Sequence, residues 1–307
     1  MNDTGPSMEE PPGATGEVGV PPPGYRLPGA THPGPIRLQV ADLERSRQYY
    51  STVLGLVEIG SSPGMAQMGA PSGEPLITLI ERLGAAPVPR RGRLGLYHFA
   101  LLLPDRSSLG SFLSHLAKLG IQAGMSDHSV SEAIYLNDPD GLGIEIYLDR
   151  PRSEWQYSGR EIHMVTEPLR AREVIAAATA PWQGMPAGTS MGHLHLFVGN
   201  LERAADFYHR ALGLDRVVWS YPGALFLSAG GYHHQLGINI WAAGAAPAGP
   251  DDARLLEWSL VLPDADAIRA AGESLTSAGF PVQWNEEGWT ADDPWGTTLR
   301  VSSHPVT

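Results

Sequence analysis

The chain has 307 residues, of which 42% are hydrophobic, and this predicts about two domains with substantial cores. Its formal net charge of −12 argues against binding to nucleic acid or to an anionic membrane. The absence of cysteine excludes disulfides, thiolate nucleophiles and cysteine metal ligands. No apolar run approaches the ~20 residues of a membrane helix, and no signal peptide is recognisable, so we expect a cytoplasmic protein outside the membrane.

The first 33 residues contain many prolines and glycines and few large apolar side chains. Such a segment cannot bury enough apolar surface to offset the entropy that it loses on ordering. We therefore expect residues 1–33 to form a disordered or loosely docked arm.

The next part of the chain predicts a strand, a helix and then further strands. Residues 36–40 alternate apolar and polar side chains, as a half-buried strand does. Asp42 is a candidate N-cap, "LERSRQYYSTVL" has helical spacing, and Gly55 ends that helix. Short strands follow through "PLITLIE". The same order then recurs, from the strand "LYHFALLL" and the helix "LGSFLSHLAKLG" to "GIEIYL" after a "DPDG" turn.

The second half of the chain repeats the first. "IRLQVADLERSRQYYSTVLGL" aligns without a gap with "LHLFVGNLERAADFYHRALGL", and two later stretches align through their prolines. We predict four βαβββ modules, at about 34–84, 94–150, 191–243 and 254–303. Modules 1 and 2 form a first repeat (34–150), and modules 3 and 4 form a second (191–307). A connection (151–190), in which "REVIAAATA" suggests a helix, joins them.

These motifs resemble the vicinal oxygen chelate superfamily, which includes glyoxalase I, bleomycin-resistance proteins and extradiol dioxygenases. The resemblance rests on "DLERSRQYY" with its following "LGL", and on the closing strand "DPDGLGIEIY". "GLYHFALLLPD" and "GGYHHQLGINIW" are most similar to bacterial catechol 2,3-dioxygenase-like members. The resemblance covers nearly everything after residue 34. It implies an α+β fold in which the four modules pair into two half-open barrels, with the site inside a barrel.

In that superfamily, metal ligands come from the start of a module's first strand and from its last strand. The resemblance places four residues at the first-strand position of modules 1 to 4: Pro35, His98, His193 and Glu257. The last strands of modules 1, 2 and 4 offer Glu81, Glu145 and Arg300. Module 3 offers no carboxylate there.

Two pairings of the modules are open. Pairing modules 1 and 2 would give an incomplete metal site, because Pro35 cannot ligate. Pairing modules 3 and 4 would place the positive charge of Arg300 beside a divalent cation and oppose its binding. Pairing module 2 with module 3 instead joins His98, Glu145 and His193, the two-histidine, one-carboxylate set of non-haem Fe(II) oxygenases. We prefer this inner pairing, which leaves modules 1 and 4 without a working site. The same ligands suit Mn(II) as an alternative to Fe(II).

The resemblance also implies residues that handle protons. His234, in "HHQLGI", matches the histidine that acts as acid and base in extradiol dioxygenases, and we expect its neighbour His233 to face outward or to line the interface between barrels. Tyr135 matches a tyrosine of that family. His128 matches a histidine, although its spacing of seven residues to Tyr135 is slightly shorter than the family pattern. His195 is expected to be either a pocket residue or a packed core histidine.

The implied function is extradiol ring cleavage of a catechol-type aromatic diol by O2 at a two-histidine, one-carboxylate Fe(II) site. A glyoxalase-like metal-dependent isomerase or lyase is one alternative, although such sites commonly carry a second carboxylate. A non-catalytic small-molecule-binding resistance protein is another, although these are typically chains of two modules. The expected partners are the small aromatic diol and O2, and a homo-oligomer is compatible with the sequence.

Overall fold

The computed structural model describes residues 17–71, 73 and 75–304. The first half contains two modules of the predicted order. Module 1 consists of β1 (His32–Val40), α1 (Leu43–Thr52), β2 (Val57–Ser62), β3 (Met65–Gly69) and β4 (Pro75–Glu81). Module 2 consists of β5 (Gly95–Leu102), α2 (Arg106–Leu119), β6 (Gly124–Asp127), β7 (Ser131–Asn137) and β8 (Gly143–Asp149).

The connection and the second half continue the same plan. The connection holds a 3₁₀ turn (Arg152–Glu154), β9 (Tyr157–Ser158), β10 (Glu161–Ile162) and α3 (Ala171–Ala176). Module 3 consists of β11 (Ser190–Phe197), α4 (Leu201–Ala205), a π-helical continuation (Asp206–Ala211), β12 (Asp215–Val218), β13 (Ala224–Ser228) and β14 (Leu236–Asn239). Module 4 consists of β15 (Arg254–Val261), α5 (Ala265–Ser277), β16 (Gln283–Asn285), β17 (Gly288–Asp292) and β18 (Thr298–Ser302).

Each module begins its helix with the same local device. Asp42 accepts a hydrogen bond from the backbone N–H of Arg45 (3.0 Å), which confirms the predicted N-cap. The equivalent caps in modules 2 to 4 are Asp105, Asn200 and Asp264. A side-chain oxygen at this position satisfies a backbone donor that the helix itself cannot pair, and its fourfold recurrence reflects the sequence repeat.

The strands of the four modules form two eight-stranded sheets that combine modules from different halves, and β9 pairs with β10 in a separate two-stranded sheet. One sheet has the order β16-β17-β18-β15-β1-β4-β3-β2 and joins module 4 to module 1. The other has the order β12-β13-β14-β11-β5-β8-β7-β6 and joins module 3 to module 2. The first strands meet antiparallel at the centre of each sheet, β1 with β15 and β5 with β11. The predicted fold and the preferred inner pairing are therefore confirmed.

The outer sheet, formed by modules 1 and 4, uses its ligand-like positions for structural contacts. Arg300 donates two hydrogen bonds to the Glu257 carboxylate, at 2.8 and 2.9 Å. The carbonyl of Pro35 accepts from the Ser259 hydroxyl, and Glu81 accepts from the backbone N–H of Leu43. Within the described part of the chain, no metal-ligand cluster occurs in this sheet.

Residues 20–27 contact module 3, and His32 and Pro33 belong to β1, although we expected a disordered or loosely docked arm up to residue 33. Leu27 is buried and its backbone N–H donates to the carbonyl of Gly213 (2.9 Å). Arg26 donates two hydrogen bonds to Asp215, each at 2.8 Å. These contacts supply the burial and pairing that the composition alone did not indicate. Residues 1–16 of the predicted arm lie outside the described residues.

A helix long and apolar enough to cross a bilayer is absent from the residues that the structure describes.

Candidate metal centre

Three adjacent strands of the inner sheet bring the predicted ligands together. On the antiparallel pair of β11 and β5, His193 lies opposite Ala100. On the parallel pair of β5 and β8, the same Ala100 lies opposite Glu145. His98 is two residues before Ala100 and therefore shares its face of the sheet. The small Ala100 side chain leaves room for the longer side chains around it.

The three side chains form one compact buried cluster. Glu145 Oε2 lies 2.9 Å from His98 Nε2 and 3.0 Å from His193 Nε2. One ligand atom from each residue lies within 4.8 Å of the other two. All three residues are buried, with His98 the most exposed at 5%.

The cluster fits a divalent metal ion. His98 Nε2 is buried and makes no hydrogen bond of acceptable geometry, although Glu145 Oε2 is close to it. A buried polar atom without a partner calls for an explanation, and a bound cation provides one. Two imidazole nitrogens and one carboxylate oxygen suit several transition metals, including Fe(II) and Mn(II). The three side chains can therefore hold a metal.

The electrostatics favour the protonation states that bind metals. Burial alone would raise the pKa of Glu145, but His193 and His98 more than offset this, and the pKa lies well below its usual range. Burial lowers the pKa of His193 despite the neighbouring carboxylate. At neutral pH Glu145 is then a carboxylate and His193 a neutral imidazole, so the ligand atoms of both have a free lone pair.

A cavity of about 530 Å³ lies beside this cluster. The predicted proton-handling residues His128, Tyr135 and His234 all line it. So do two of the three predicted ligands, His98 and Glu145, and one further histidine, His195. Its other aromatic lining residues are Tyr97, Tyr221, Phe226 and Trp241. A larger cavity of about 860 Å³ shares Tyr97 and Trp241 with it, but contains none of the three ligand residues. The smaller cavity is therefore the candidate site.

Tyr135 and His128 are in direct contact at the cavity wall. Tyr135 lies opposite Glu145 on the β7–β8 ladder, and its hydroxyl is 2.7 Å from His128 Nε2. His128 Nδ1 is 2.6 Å from the carbonyl oxygen of Val165, which can only accept, so Nδ1 carries the proton. With its single proton on Nδ1, the ring accepts from the Tyr135 hydroxyl at Nε2. Burial raises the pKa of Tyr135 well above its usual range, so it remains a phenol.

His234 lines the cavity, and its ring centroid lies 4.1 Å from that of His193. Burial lowers the pKa of His234 well below its usual range, so the imidazole is neutral. Of the two alternatives for His233, the outward-facing one was wrong, because this residue is fully buried. Strand β14 begins only at Leu236, so His233 and His234 lie in a bend where strand alternation does not apply.

His195 proves to be a cavity residue, one of the two alternatives that the sequence left open. Its Nε2 lies 3.0 Å from Asn239 Nδ2, and burial lowers its pKa well below the usual range. Its ring meets Tyr97 edge-on, with centroids 5.2 Å apart.

Sequence reasoning missed Tyr97 as a cavity residue. It adjoins His98, so strict alternation places it on the opposite face. A register shift in the β5–β11 ladder pairs His98 with His195 and Leu96 with Leu196, which leaves Tyr97 unpaired. This bulge turns the side chain toward the cavity. No signal in the local sequence indicates it.

Comparison with known proteins identifies the family. The profile of the Glyoxalase/Bleomycin resistance protein/Dioxygenase superfamily matches residues 32–146 and 190–299. The catechol-2,3-dioxygenase of Bacillus subtilis (strain 168) is 40% identical over 269 residues, which span 86% of this chain and 94% of that protein.

Two solved structures are similar in fold. A candidate dioxygenase from Bacillus subtilis is 16% identical with a TM-score of 0.61, over 92% of this chain and 87% of its own. Glyoxalase I from Zea mays is 16% identical with a TM-score of 0.52, over 89% of this chain and 92% of its own. Since the profile matches both repeats and the Bacillus relative spans most of the chain, the protein belongs to the glyoxalase/bleomycin resistance/dioxygenase (vicinal oxygen chelate) superfamily.

Proposed function

We propose that the protein is an extradiol dioxygenase that uses O2 to cleave the ring of a catechol-type aromatic diol at an Fe(II) site. The observation that carries the proposal is the convergence of His98, His193 and Glu145 beside a cavity that also contains His234 and Tyr135. The relative at 40% identity named as a catechol-2,3-dioxygenase supports the same reaction class.

The cluster supplies three ligands and leaves other coordination positions open. Bound Fe(II) would provide sites there for the two oxygens of a catechol and for O2. Two neutral imidazoles and one carboxylate leave a net single positive charge around a divalent ion. That charge favours the anionic form of a catechol.

The surrounding side chains have complementary proton-handling roles. Neutral His234 would accept the proton of a substrate hydroxyl and return it later in the reaction. Because the Tyr135 hydroxyl donates to His128, its oxygen is left to accept a hydrogen bond from the substrate. The aromatic side chains of the cavity, Phe226 among them, would pack against the ring and exclude water.

The direct test is anaerobic loading of the purified chain with Fe(II), followed by a panel of catechols and O2. We expect consumption of O2 and a yellow ring-opened semialdehyde. A chain that binds iron stoichiometrically yet cleaves none of the catechols would refute the proposal. His193→Ala should lose both iron and activity, and a sequestering protein would keep its ligand in that variant.

The glyoxalase-like alternative receives no support from the cluster, which holds a single carboxylate. At the end of module 3 the last strand carries Asn239, which is bonded to His195 and is not a carboxylate. An assay of hemithioacetal isomerisation with Zn(II) or Ni(II) distinguishes the two reactions, and we expect no turnover in it.

A further inference from the structure

His234 is the inner end of a hydrogen-bonded chain that leaves the cavity. Its Nδ1 lies 2.8 Å from Nδ1 of His233, and His233 Nε2 lies 2.7 Å from Asp149 Oδ1. His233 is completely buried, whereas the Asp149 side chain is 24% exposed. The chain therefore runs from the candidate site, through one buried imidazole, to a carboxylate that contacts solvent.

The donors and acceptors of this chain determine where each proton lies. An ionised carboxylate can only accept, so His233 must donate to Asp149 from Nε2. In neutral His233, Nδ1 is then an acceptor, and the proton between the two imidazoles belongs to Nδ1 of His234. The remaining nitrogen of His234, Nε2, carries a lone pair and is the one left for the cavity.

We propose that His233 and Asp149 are positioning residues that fix His234 in the Nδ1–H tautomer and hold its ring with Nε2 available to the substrate. The inference deepens the proposed function and rests on it for its catalytic consequence. In this tautomer His234 takes the substrate proton at Nε2 and gives it back from the same atom. The opposite tautomer would present an N–H donor, which cannot act as a base.

A second set of contacts holds Asp149 without touching His234. The Tyr232 hydroxyl donates to Asp149 Oδ2 (2.8 Å), and the hydroxyls of Tyr147 and Tyr232 are 2.7 Å apart. The Tyr232 ring also packs on His233, with centroids 4.1 Å apart. Tyr232→Phe keeps this ring contact and leaves the His233–Asp149 hydrogen bond in place, so it is a matched control.

The test combines a spectroscopic measurement with kinetics. The full chain is labelled with ¹⁵N-histidine and loaded with Zn(II), a diamagnetic ion, and two-dimensional ¹H–¹⁵N spectra report the tautomer of His234. We expect Nδ1–H in the wild type and in Tyr232→Phe. His233→Phe removes the acceptor for His234, and we expect the Nε2–H form to appear. In the Fe(II) enzyme the same variant should lower kcat about 100-fold, with KM changed less than about threefold.

Asp149→Asn is the second variant, in case His233→Phe does not fold, and we expect the same direction in both measurements. The proposal is overturned if wild-type His234 carries its proton on Nε2. It is also overturned if a folded variant keeps both the wild-type tautomer and the wild-type kcat. The spectra need no turnover, so a wild type that cleaves no catechol refutes the proposed function and leaves the tautomer result intact.

Discussion

Substitution of Glu145 by glutamine tests the metal centre most directly. Glu145 is the one carboxylate of the cluster, it is buried, and its Oε2 contacts both imidazoles. Glu145→Gln preserves the size of the side chain and removes its charge. The variant therefore measures what the negative charge contributes to metal binding.

The expected effect is large because the carboxylate is desolvated. At a separation of about 4 Å and an effective dielectric constant of about 20, two unit charges interact by about 4 kcal/mol. A divalent ion doubles this attraction, while the cost of burying the carboxylate offsets part of it. We expect Fe(II) affinity to fall at least 100-fold, which corresponds to about 2.7 kcal/mol.

Anaerobic thermal unfolding with and without Fe(II) measures this loss. At a free Fe(II) concentration of about 100 times the wild-type Kd, binding stabilises the wild type by about 2.7 kcal/mol. A 100-fold weaker variant at the same concentration gains only about 0.4 kcal/mol. At about 2 °C per kcal/mol for a chain of this size, the shifts in Tm are about 5 °C and about 1 °C.

The matched control is Glu257→Gln in the outer sheet, where the carboxylate pairs with Arg300 and not with imidazoles. This control should keep the full Fe(II)-induced shift, even if its metal-free Tm is lower. Iron content after dialysis provides an independent measurement. A Glu145→Gln protein that retains Fe(II) within threefold of the wild-type affinity would refute the assignment of the cluster.

Three further outcomes are expected. Tyr135→Phe should lower kcat roughly 10- to 100-fold at unchanged iron content, and an effect on KM alone in steady-state assays would contradict the proposed contact with the substrate. Burial, opposed by backbone hydrogen bonds, raises the pKa of Asp138 from 3.8 to about 7. In the unfolded chain this carboxyl loses its proton near pH 4, whereas in the folded chain it keeps the proton up to about pH 7. The free energy of unfolding therefore falls between pH 4 and pH 7, by up to about 4 kcal/mol. In urea titrations, Asp138→Asn should flatten the dependence of the unfolding free energy on pH in this range. A dependence parallel to that of the wild type would argue against a raised pKa for Asp138. Residues 34–150 expressed alone should fail to fold, because β1 and β5 lose their partners β15 and β11; a cooperative thermal transition of that fragment would contradict the interlocked topology.

Much of the fold could be predicted because its signals are local and repeated. The cap at Asp42 and the spacing of the following helix depend on neighbouring residues, and the second half of the chain repeats both. The three candidate ligands were identified from the ligand positions that the superfamily resemblance implies, located by register within single strands. These features need no knowledge of what each strand pairs with, so the sequence alone predicted them.

The pairing of modules was inferred only indirectly, from which combination leaves a complete ligand set. The hydrogen bonds that decide it join strands far apart in the chain, such as β1 and β15. Local periodicity is the same whichever strand lies alongside. The tertiary structure selects the partner, and with it the meeting of His193 with His98 and Glu145.

Four features depended entirely on the tertiary structure: the docking of residues 20–27, the bulge at Tyr97, the contact of His195 with Asn239, and the chain from His234 through His233 to Asp149. Each arises where regular strand geometry is interrupted or where distant segments meet, and a repeating pattern carries no information there. The sequence by itself determined which residues can bind a metal and handle protons. The tertiary structure decided which of them meet and in what orientation, because side-chain direction at a bend or bulge depends on the neighbouring strands and not on the residue order.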